Sequence, residues 1–362
     1  MSGESVTVTQ APLAFELAAR REAHEPVEAR GLARDDVRLL VADRSRSSVR
    51  HARFAELAQI LAPGDLLVVN TSATLPAALP ATRRDGLELE LRLSTPAPDR
   101  EGESYWIVEL RRGDAPFADV LVDDRLILPG GANALLLAPY APGRLWYARL
   151  DLPSSVEAYL AEHGRPIRYG YVPRLWPLSA YQNVYALEPG SAEMASAGRP
   201  FTADLITRLV AGGVLFAPVT LHTGVSSPER HERPFAERYR VPEHTARLVN
   251  AVREWGGRVI AVGTTVVRAL ETVAEPDGTV ATGEGWTSLV VTAERGLWAI
   301  DSLLSGFHEA DSSHLDVLRA AAGEELLLRS YRAALEQGYR WHEFGDSHLV
   351  LGRRNGNRWT NR

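Results

Sequence analysis

The chain lacks two residue types altogether: it has no cysteine, and all 40 of its basic residues are arginine because the sequence contains no lysine. Without cysteine there can be no disulfide, no thiolate nucleophile, no iron–sulfur cluster and no cysteine-ligated zinc. Without lysine there can be neither the Schiff base of pyridoxal phosphate chemistry nor the lysine of a phosphate-binding P-loop. These absences exclude several common classes of enzyme.

Long hydrophobic runs are also missing. No apolar run reaches about 18 residues, and the N-terminus has no charged-then-apolar signal pattern, so we expect a cytoplasmic protein without a membrane partner. The formal net charge of −6 argues against uniform attraction to nucleic acid, although local arginine clusters could still form a binding face. The 362 residues, 45% of them hydrophobic, suffice for two domains with a sizeable core.

The pattern of turns and apolar residues divides the chain. Short alternating runs such as residues 87–93, separated by turn signals, predict a small antiparallel barrel or sandwich over residues 75–150. A buried strand is expected at 66–69. From about residue 200, helical and strand patterns alternate, with a helix expected at 202–211, capped by Thr202, and strands expected at 213–221, 258–262 and 289–292. This alternation predicts parallel strands with crossover helices. We therefore predict an α/β main domain of residues 1–74 and 151–362 that carries residues 75–150 as an insertion.

Polar residues that follow the predicted strands are the candidates for a site, because ligands of α/β folds bind beyond the C-terminal ends of strands. Thr264 and Thr265 begin a helix after a glycine turn, where backbone N–H groups and hydroxyls suit a carboxylate or phosphate, or simply cap the helix. His222 follows a buried strand and could serve as an acid/base group or as a structural residue. His308 and Asp346 could form acid/base pairs, bind a metal or lie in surface turns. The histidine spacings match no zinc pattern, so no metal site is predicted.

Residues 164–185 are rich in Arg, Tyr, Trp and Pro and show no regular period. Such a segment can be a functional loop or a linker packed by its aromatic side chains. Arg165, Arg168 and Arg174 alternate with aromatic residues, a combination that suits single-stranded RNA loops.

Several motifs occur along residues 35–351 in a recognisable order: GDLLVVNT at 64–71, LPAAL at 75–79, YQNVYA at 181–186, EPGS at 188–191, VTLHTG at 219–224, VIAVGTTVVR at 259–268, GWT at 285–287, FH at 307–308 and FGD at 344–346. In this order they resemble the S-adenosylmethionine:tRNA ribosyltransferase-isomerases of queuosine biosynthesis. The resemblance implies an α/β barrel-like main domain with a small β-barrel insertion. It also implies that S-adenosylmethionine is the co-substrate and that no prosthetic group is present.

The reaction implied by the resemblance transfers the ribosyl part of S-adenosylmethionine to 7-aminomethyl-7-deazaguanine in a tRNA anticodon loop. Rearrangement gives epoxyqueuosine, and adenine and methionine leave. The chain is expected to be a monomer or a weak homo-oligomer. Three residues are expected to act in catalysis: His222, His308 and Asp346. Nine are expected to bind substrate: Tyr181, Gln182, Glu188, Ser191, Thr223, Thr264, Thr265, Arg268 and Phe307.

The sequence departs from the family pattern at several positions. Ala78 stands where the family has arginine, and Pro200 stands where it has histidine, so a side chain that could handle a proton is lost. The histidine-rich segment after His222 and the Pro-Lys-Ser-Thr after Phe-His are also replaced. A divergent paralogue is therefore the alternative: it would act on S-adenosylmethionine with a small-molecule acceptor, or rearrange the nucleoside, without tRNA. A non-catalytic nucleotide-binding or RNA-binding protein is a third possibility.

Overall fold

The computed structural model describes residues 21–225, 234–309 and 312–352. The strands within these residues, numbered in chain order, are β1 (Arg38–Asp43), β2 (Ser48–Arg53), β3 (Leu66–Asn70), β4 (Ser72–Thr74), β5 (Ala78–Arg83), β6 (Glu88–Pro96), β7 (Tyr105–Arg112), β8 (Ala115–Pro116), β9 (Arg125–Ile127), β10 (Asn133–Ala141), β11 (Leu145–Asp151), β12 (Glu188–Ser191), β13 (Leu215–Leu221), β14 (Glu237–Val241), β15 (Val259–Val262), β16 (Gly283–Thr287), β17 (Ser302–Gly306) and β18 (Ser347–Leu351). The helices are α1 (Leu57–Ile60), α2 (Val156–His163), α3 (Ala203–Ala211), α4 (Glu243–Glu254), α5 (Thr264–Thr272), α6 (His314–Ala322) and α7 (Glu324–Gln337).

Nine strands form one sheet in the order β16-β14-β13-β3-β15-β17-β18-β1-β2. Its centre is parallel, as the alternation of helices and strands predicts: β13 pairs with β3, β3 with β15, and β15 with β17. Strand β18 is antiparallel to β17 and parallel to β1, and the pairs β1–β2, β13–β14 and β14–β16 are antiparallel. The sheet is therefore mixed, with β16 and β2 at its two ends.

The central strands are mostly apolar because both faces of the sheet are covered. Alternate residues of a strand point to opposite faces. In β3, Leu66 and Val68 pack against the core that includes α4 to α7, whereas Leu67 and Val69 pack against α1 and α3. This three-layer arrangement and the inserted barrel confirm the predicted α/β class.

The segment between β4 and α2 forms a separate closed sheet. Its strands run in the order β11-β10-β9-β5-β6-β7, and β11 pairs antiparallel with β7, which closes a six-stranded barrel. The short strand β8 is added to β7. Buried residues such as Leu91, Leu110 and Leu136 fill the interior. The inserted antiparallel barrel is thus confirmed, and the exact domain bounds at 75 and 150 stay a prediction.

Two local predictions have different outcomes. The helix expected from Thr202 is confirmed, and the Thr202 hydroxyl caps it by accepting a hydrogen bond from the backbone N–H of Leu205 at 3.1 Å. The strand expected at residues 289–292 is wrong, since the backbone there joins no ladder. The Leu289 carbonyl accepts a hydrogen bond from Arg268 Nε at 3.1 Å, so a side chain satisfies it in place of a neighbouring strand. None of the helices in the described ranges combines the length and apolar character needed to span a bilayer.

Candidate active site

A cavity of about 330 Å³ lies at the C-terminal edge of the parallel strands. Residues 263–265, which follow β15, and residues 305–309, which end β17 and follow it, form one side of the cavity. Residues 166, 167, 169, 171 and 192–197 form the other side, and the lining also includes Thr74, Tyr181, Thr223, Ser312, His314, His342 and Glu343. The position agrees with the rule that led to the strand-end residues.

The N-terminus of α5 faces this cavity through three consecutive residues. Gly263 has a φ of +95°, a conformation that favours glycine, and no side chain caps the helix. Thr264 and Thr265 line the cavity, and the buried Thr265 Oγ1 has no hydrogen-bond partner among the described residues. Free backbone N–H groups, the positive end of the helix dipole and an unpaired hydroxyl together suit a carboxylate.

Two tyrosine–glutamate pairs form the opposite wall. The Tyr169 hydroxyl donates to Glu193, and the Tyr171 hydroxyl donates to Glu343 Oε2 at 2.6 Å. The two tyrosine rings are stacked with centroids 5.9 Å apart, and Tyr171 is stacked on His342 at 4.0 Å. Burial, together with a smaller effect of the charge of Glu193, raises the pKa of Glu343 to about 7. The negative charge of these two carboxylates would therefore favour the binding of a cation at this wall.

Two stacked imidazoles border the same space. His308 and His314 are parallel within 13°, with ring centroids 4.6 Å apart. His308 Nε2 is hydrogen-bonded to Ser305 Oγ at 2.9 Å, and His314 Nδ1 to Ser312 Oγ at 2.8 Å. Burial lowers the pKa of His308 well below its ordinary value and that of His314 to about 4. Both rings are neutral at neutral pH and can accept a proton.

His222 belongs to a hydrogen-bonded chain beside the cavity. Its Nδ1 lies 2.7 Å from Ser72 Oγ, which is 2.6 Å from Ser191 Oγ. Ser191 Oγ also accepts a hydrogen bond from the backbone N–H of Thr223 at 3.0 Å, and Thr223 lines the cavity. Gly190 passes beneath the imidazole so closely that an added Cβ would lie 2.4 Å from Nδ1. The half-buried ring is therefore held firmly, but the cavity lining does not include it.

The neighbouring predicted residues divide between lining and support. Tyr181 lines the cavity and packs on Phe344 at 5.2 Å between centroids. The Gln182 amide exchanges two hydrogen bonds with the Thr74 backbone, at 3.0 and 2.7 Å, and so holds β4 in place. Glu188 accepts hydrogen bonds from Thr220 and Arg240 outside the lining.

Arg268, Phe307 and Asp346 are all largely buried. Arg268 donates to Glu237 and to the carbonyls of residues 235, 287 and 289, beside a second cavity of about 110 Å³. That cavity shares residues 223, 264, 265 and 314 with the first. Phe307 lines the large cavity. Asp346 accepts hydrogen bonds from Arg38 and from the backbone N–H of Arg340, away from both cavities.

The three predicted RNA-binding arginines lie on the outer side of the segment that lines the cavity. Arg165 forms an ion pair with Glu90 at 2.7 Å, and Arg168 Nη1 donates to the Val172 carbonyl at 2.6 Å. The Arg174 guanidinium lies 3.9 Å from the centroid of the Trp176 ring. Exposed guanidinium and ring surface are thus combined at one place.

Sequence reasoning missed four residues that border the cavity with ionisable groups: Glu193, His314, His342 and Glu343. A signal was available, because Glu193 follows the matched EPGS motif by two residues and Glu343 directly precedes the matched FGD motif. Their burial, however, depends on tertiary packing. Among the described residues no cluster of three or more His, Asp or Glu could hold a metal ion.

The fold and the cavity define an α/β enzyme that carries an inserted antiparallel barrel and binds its ligand at the strand ends. A family model described as queuosine biosynthesis protein matches residues 11–350, so the chain belongs to this family. It is 35% identical over 352 residues to the S-adenosylmethionine:tRNA ribosyltransferase-isomerase of Symbiobacterium thermophilum, which covers 91% of this chain and 96% of the relative. The enzyme of the same name from Thermotoga maritima is 34% identical, covering 93% and 98%. A crystal structure of the Thermotoga maritima S-adenosylmethionine tRNA ribosyltransferase matches with a TM-score of 0.52 and 30% identity, over 93% of this chain and 99% of that one.

Proposed function

We propose that this protein transfers the ribosyl group of S-adenosylmethionine to 7-aminomethyl-7-deazaguanine in the anticodon loop of tRNA and isomerises it to epoxyqueuosine. Adenine and methionine are released, and S-adenosylmethionine is a co-substrate, so the chemistry requires no prosthetic group. The observation that carries this proposal is the cavity of about 330 Å³, where partly buried carboxylates, neutral imidazoles and a helix N-terminus meet. The names of the relatives support the same reaction.

The sulfonium of S-adenosylmethionine is a permanent cation, and the cavity offers it two carboxylates. Glu193 and Glu343 each accept a tyrosine hydroxyl, which fixes their positions without supplying a positive charge. Because both carboxylates are partly buried, a cation close to them is stabilised more than it would be in bulk solvent. Binding of the sulfonium would also lower the raised pKa of Glu343 and favour its ionised form.

The carboxylate of the methionine portion fits the N-terminus of α5. Thr264 and Thr265 lie at its first two positions, and the unpaired Thr265 Oγ1 can donate a hydrogen bond to an oxygen anion. With the sulfonium near the glutamates and the carboxylate near α5, the substrate would cross the cavity. Its reacting ribose would then lie between the two walls.

The reaction requires a base, because a proton next to the sulfonium must be removed. We propose His308 for this role, since its lowered pKa keeps the imidazole unprotonated throughout the neutral range. Donation of the Nε2 hydrogen to Ser305 Oγ would leave Nδ1 as the basic nitrogen. His314, stacked on the ring, limits its movement.

For the other two expected catalytic residues the contacts support positioning roles. His222 is tied through Ser72 and Ser191 to Thr223, so it would hold the wall that faces the ribose. Asp346 fixes the loop before β18 through its bonds to Arg38 and the backbone of Arg340. The expected substrate-binding residues then fall into two proposed groups. Those that contact substrate are Tyr181, Thr223, Thr264, Thr265 and Phe307, and those that support the wall are Gln182, Glu188, Ser191 and Arg268.

The acceptor is the anticodon loop of a tRNA, and the arginine-rich segment is the proposed contact surface. Tyr169 and Tyr171 face the cavity, whereas Arg165 and Arg168 point to the outer side and Arg174 covers Trp176. Aromatic rings stack on unpaired bases, and guanidinium groups bind phosphates. We propose a cytoplasmic location and a monomer or weak homo-oligomer.

The test is an adenine-release assay on the purified protein with S-adenosylmethionine. One reaction contains tRNA with 7-aminomethyl-7-deazaguanine in the anticodon, a second contains the same tRNA with guanine there, and a third contains no tRNA. We expect adenine and methionine only in the first, together with a tRNA product carrying the epoxyqueuosine mass. Adenine or a new nucleoside in the reaction without tRNA would favour the divergent-paralogue alternative, and no turnover at all would overturn enzymatic function.

A further inference from the structure

A second open space lies on the other side of the segment that forms the cavity wall. This cleft, of about 340 Å³, is bounded by the start of β6, the end of β7 and residues 165–175. Pro166 borders both the cleft and the substrate cavity, and the intervening side chains alternate between them. Tyr169 faces the cavity, whereas Arg165 and Arg168 face the cleft. The two spaces are therefore separated by little more than one side chain.

Guanidinium groups from the barrel complete the cleft. Arg92 and Arg111 line it although they are only 2% and 6% exposed. Arg92 Nη1 and Arg111 Nε are buried and have no hydrogen-bond partner in the described part of the chain. Buried guanidinium nitrogens without acceptors are costly, so they indicate a missing ligand that can accept hydrogen bonds.

The carboxylates around these arginines do not balance them. The fully buried Glu109 serves three arginines, lying 3.8 Å from Arg92, 3.4 Å from Arg111 and 2.8 Å from Arg144. Glu90 is shared by Arg92 and Arg165, at 2.6 and 2.7 Å. Among the arginines that line the cleft, Arg92, Arg111 and Arg165 thus share two carboxylates, Glu90 and Glu109, and this excess of positive charge favours an anion.

The remaining acidic groups of the cleft lie at its mouth. Glu88 and Asp114 are both exposed. Arg111 donates to the backbone carbonyl of Asp114 and not to its carboxylate. These two side chains lower the net positive charge at the entrance, where solvent screens them, but they do not satisfy the buried nitrogens.

The cleft is coupled mechanically to the substrate cavity through Arg92. Its Nη2 donates to the Arg168 carbonyl at 2.8 Å, and its guanidinium lies 5.4 Å from the centroid of the Tyr169 ring. An anion bound by Arg92 would therefore lie directly behind a ring that lines the cavity. A nucleotide has this arrangement, because its phosphate and its base occupy opposite ends of one unit.

We propose that this cleft binds a backbone phosphodiester of the RNA next to the nucleotide whose base enters the cavity. Arg165 and Arg168 contact the phosphate oxygens from the segment, and Arg92 and Arg111 contact them from the barrel. Arginine suits this task because its planar guanidinium can bind two oxygens of a phosphate at once. The inference rests on the proposed function, and it assigns a role to barrel residues that the cavity alone does not explain.

The test pairs one protein variant with one chemical change in the RNA. A synthetic anticodon stem-loop carrying 7-aminomethyl-7-deazaguanine is prepared with a neutral methylphosphonate at either phosphate that flanks this nucleotide. Adenine release is measured with the wild type and with Arg165→Gln. In the wild type, we expect one of the two substitutions to lower kcat/KM for RNA about tenfold. In Arg165→Gln, kcat/KM for the unmodified RNA should fall, and the same methylphosphonate should lower it further by a clearly smaller factor than in the wild type, because Arg92, Arg111 and Arg168 remain.

Controls separate a phosphate contact from a folding defect. Arg125→Gln, on an exposed barrel residue outside the cleft, should leave kcat/KM unchanged, and Glu88→Gln should raise it. The dependence of RNA affinity on salt should weaken in Arg165→Gln by about one phosphate contact. The KM for S-adenosylmethionine should not change in any of the three.

Three results are decisive. Non-additivity at one flanking phosphate supports the cleft as its binding site. Additive losses at both phosphates, with the wild type active on RNA, would overturn the cleft and leave the proposed function intact. Absence of any RNA-dependent turnover by the wild type would overturn the proposed function, and the inference with it.

Discussion

Replacement of Glu343 by glutamine is expected to make the ligand-free protein more stable above neutral pH. The carboxyl has a pKa raised from 4.5 to about 7, mainly by burial. Folding therefore favours its protonated form, and this contribution to stability is fully present below pH 4.5 and lost as the pH rises through 7. Glutamine cannot ionise, and its carbonyl oxygen can still accept the Tyr171 hydroxyl.

The pKa difference sets the size of the effect. A pKa raised from 4.5 to about 7 corresponds to about 3 kcal/mol of unfolding free energy above pH 8, an upper value because the carboxyl is only partly buried. At pH 5 the same calculation gives a difference in unfolding free energy between the variant and the wild type of less than about 1 kcal/mol. Glu343→Gln should therefore unfold at a higher temperature or denaturant concentration than the wild type at pH 8, and at nearly the same point at pH 5.

The same variant should bind S-adenosylmethionine more weakly, because the sulfonium loses one of its carboxylates. We expect a Kd about tenfold higher at pH 8, with little change for S-adenosylhomocysteine, which has no positive sulfur; calorimetry can measure both. Glu325→Gln, on an exposed residue of α7, is the control and should change neither property. A pH-independent change in stability, or an equal loss of affinity for the two ligands, would refute the reasoning that the Glu343 carboxylate binds the sulfonium cation.

Two further substitutions test the base and the sheet. His308→Ala should lower kcat for adenine release by a factor of about 10² to 10⁴, while S-adenosylmethionine still binds. The control His244→Ala, on an exposed helix residue, should have no effect. Near-normal turnover by His308→Ala would exclude His308 as the base. Asp65→Asn should destabilise the protein by about 3–5 kcal/mol in denaturant unfolding, because Arg258 would stay buried without its partner at 2.5 Å. Glu243→Gln, which breaks an exposed pair, should cost under about 1 kcal/mol, and equal losses for the two variants would contradict this account.

The sequence predicted best those features that depend on local pattern. The apolar run of β3 and the glycine turn before Thr264 led to a buried strand and a helix N-terminus, and both occur in the structure. Thr264 and Thr265 were found because strand ends are where ligands bind. The strand expected at residues 289–292 is absent because the Leu289 carbonyl accepts a hydrogen bond from the side chain of Arg268. Arg268 lies 21 residues earlier in the chain, and no periodic pattern relates it to this segment.

The charged part of the site was not predictable in the same way. Apart from its place beside the FGD motif, nothing in the local sequence distinguishes Glu343 from an exposed glutamate, since its pKa depends on burial and on Glu193, 150 residues earlier in the chain. The stacking of Tyr171 on His342 joins equally distant segments. Periodicity indicates which residues lie in a strand, but an electrostatic environment arises only when separate segments pack together.

The resemblance predicts an arginine at position 78, where this chain has alanine, and the structure shows the surroundings of that position. Ala78 is the cross-strand partner of Arg92 in the barrel, and its backbone exchanges two hydrogen bonds of 2.9 Å with Arg165. An arginine at position 78 would thus lie between Arg92 and Arg165, both of which this chain has. Because directly opposed residues of antiparallel strands share a face, a third positive charge there would add repulsion as well as a phosphate contact. Positive charge in this part of the barrel is therefore kept without residue 78, and the substitution does not by itself argue against an RNA acceptor.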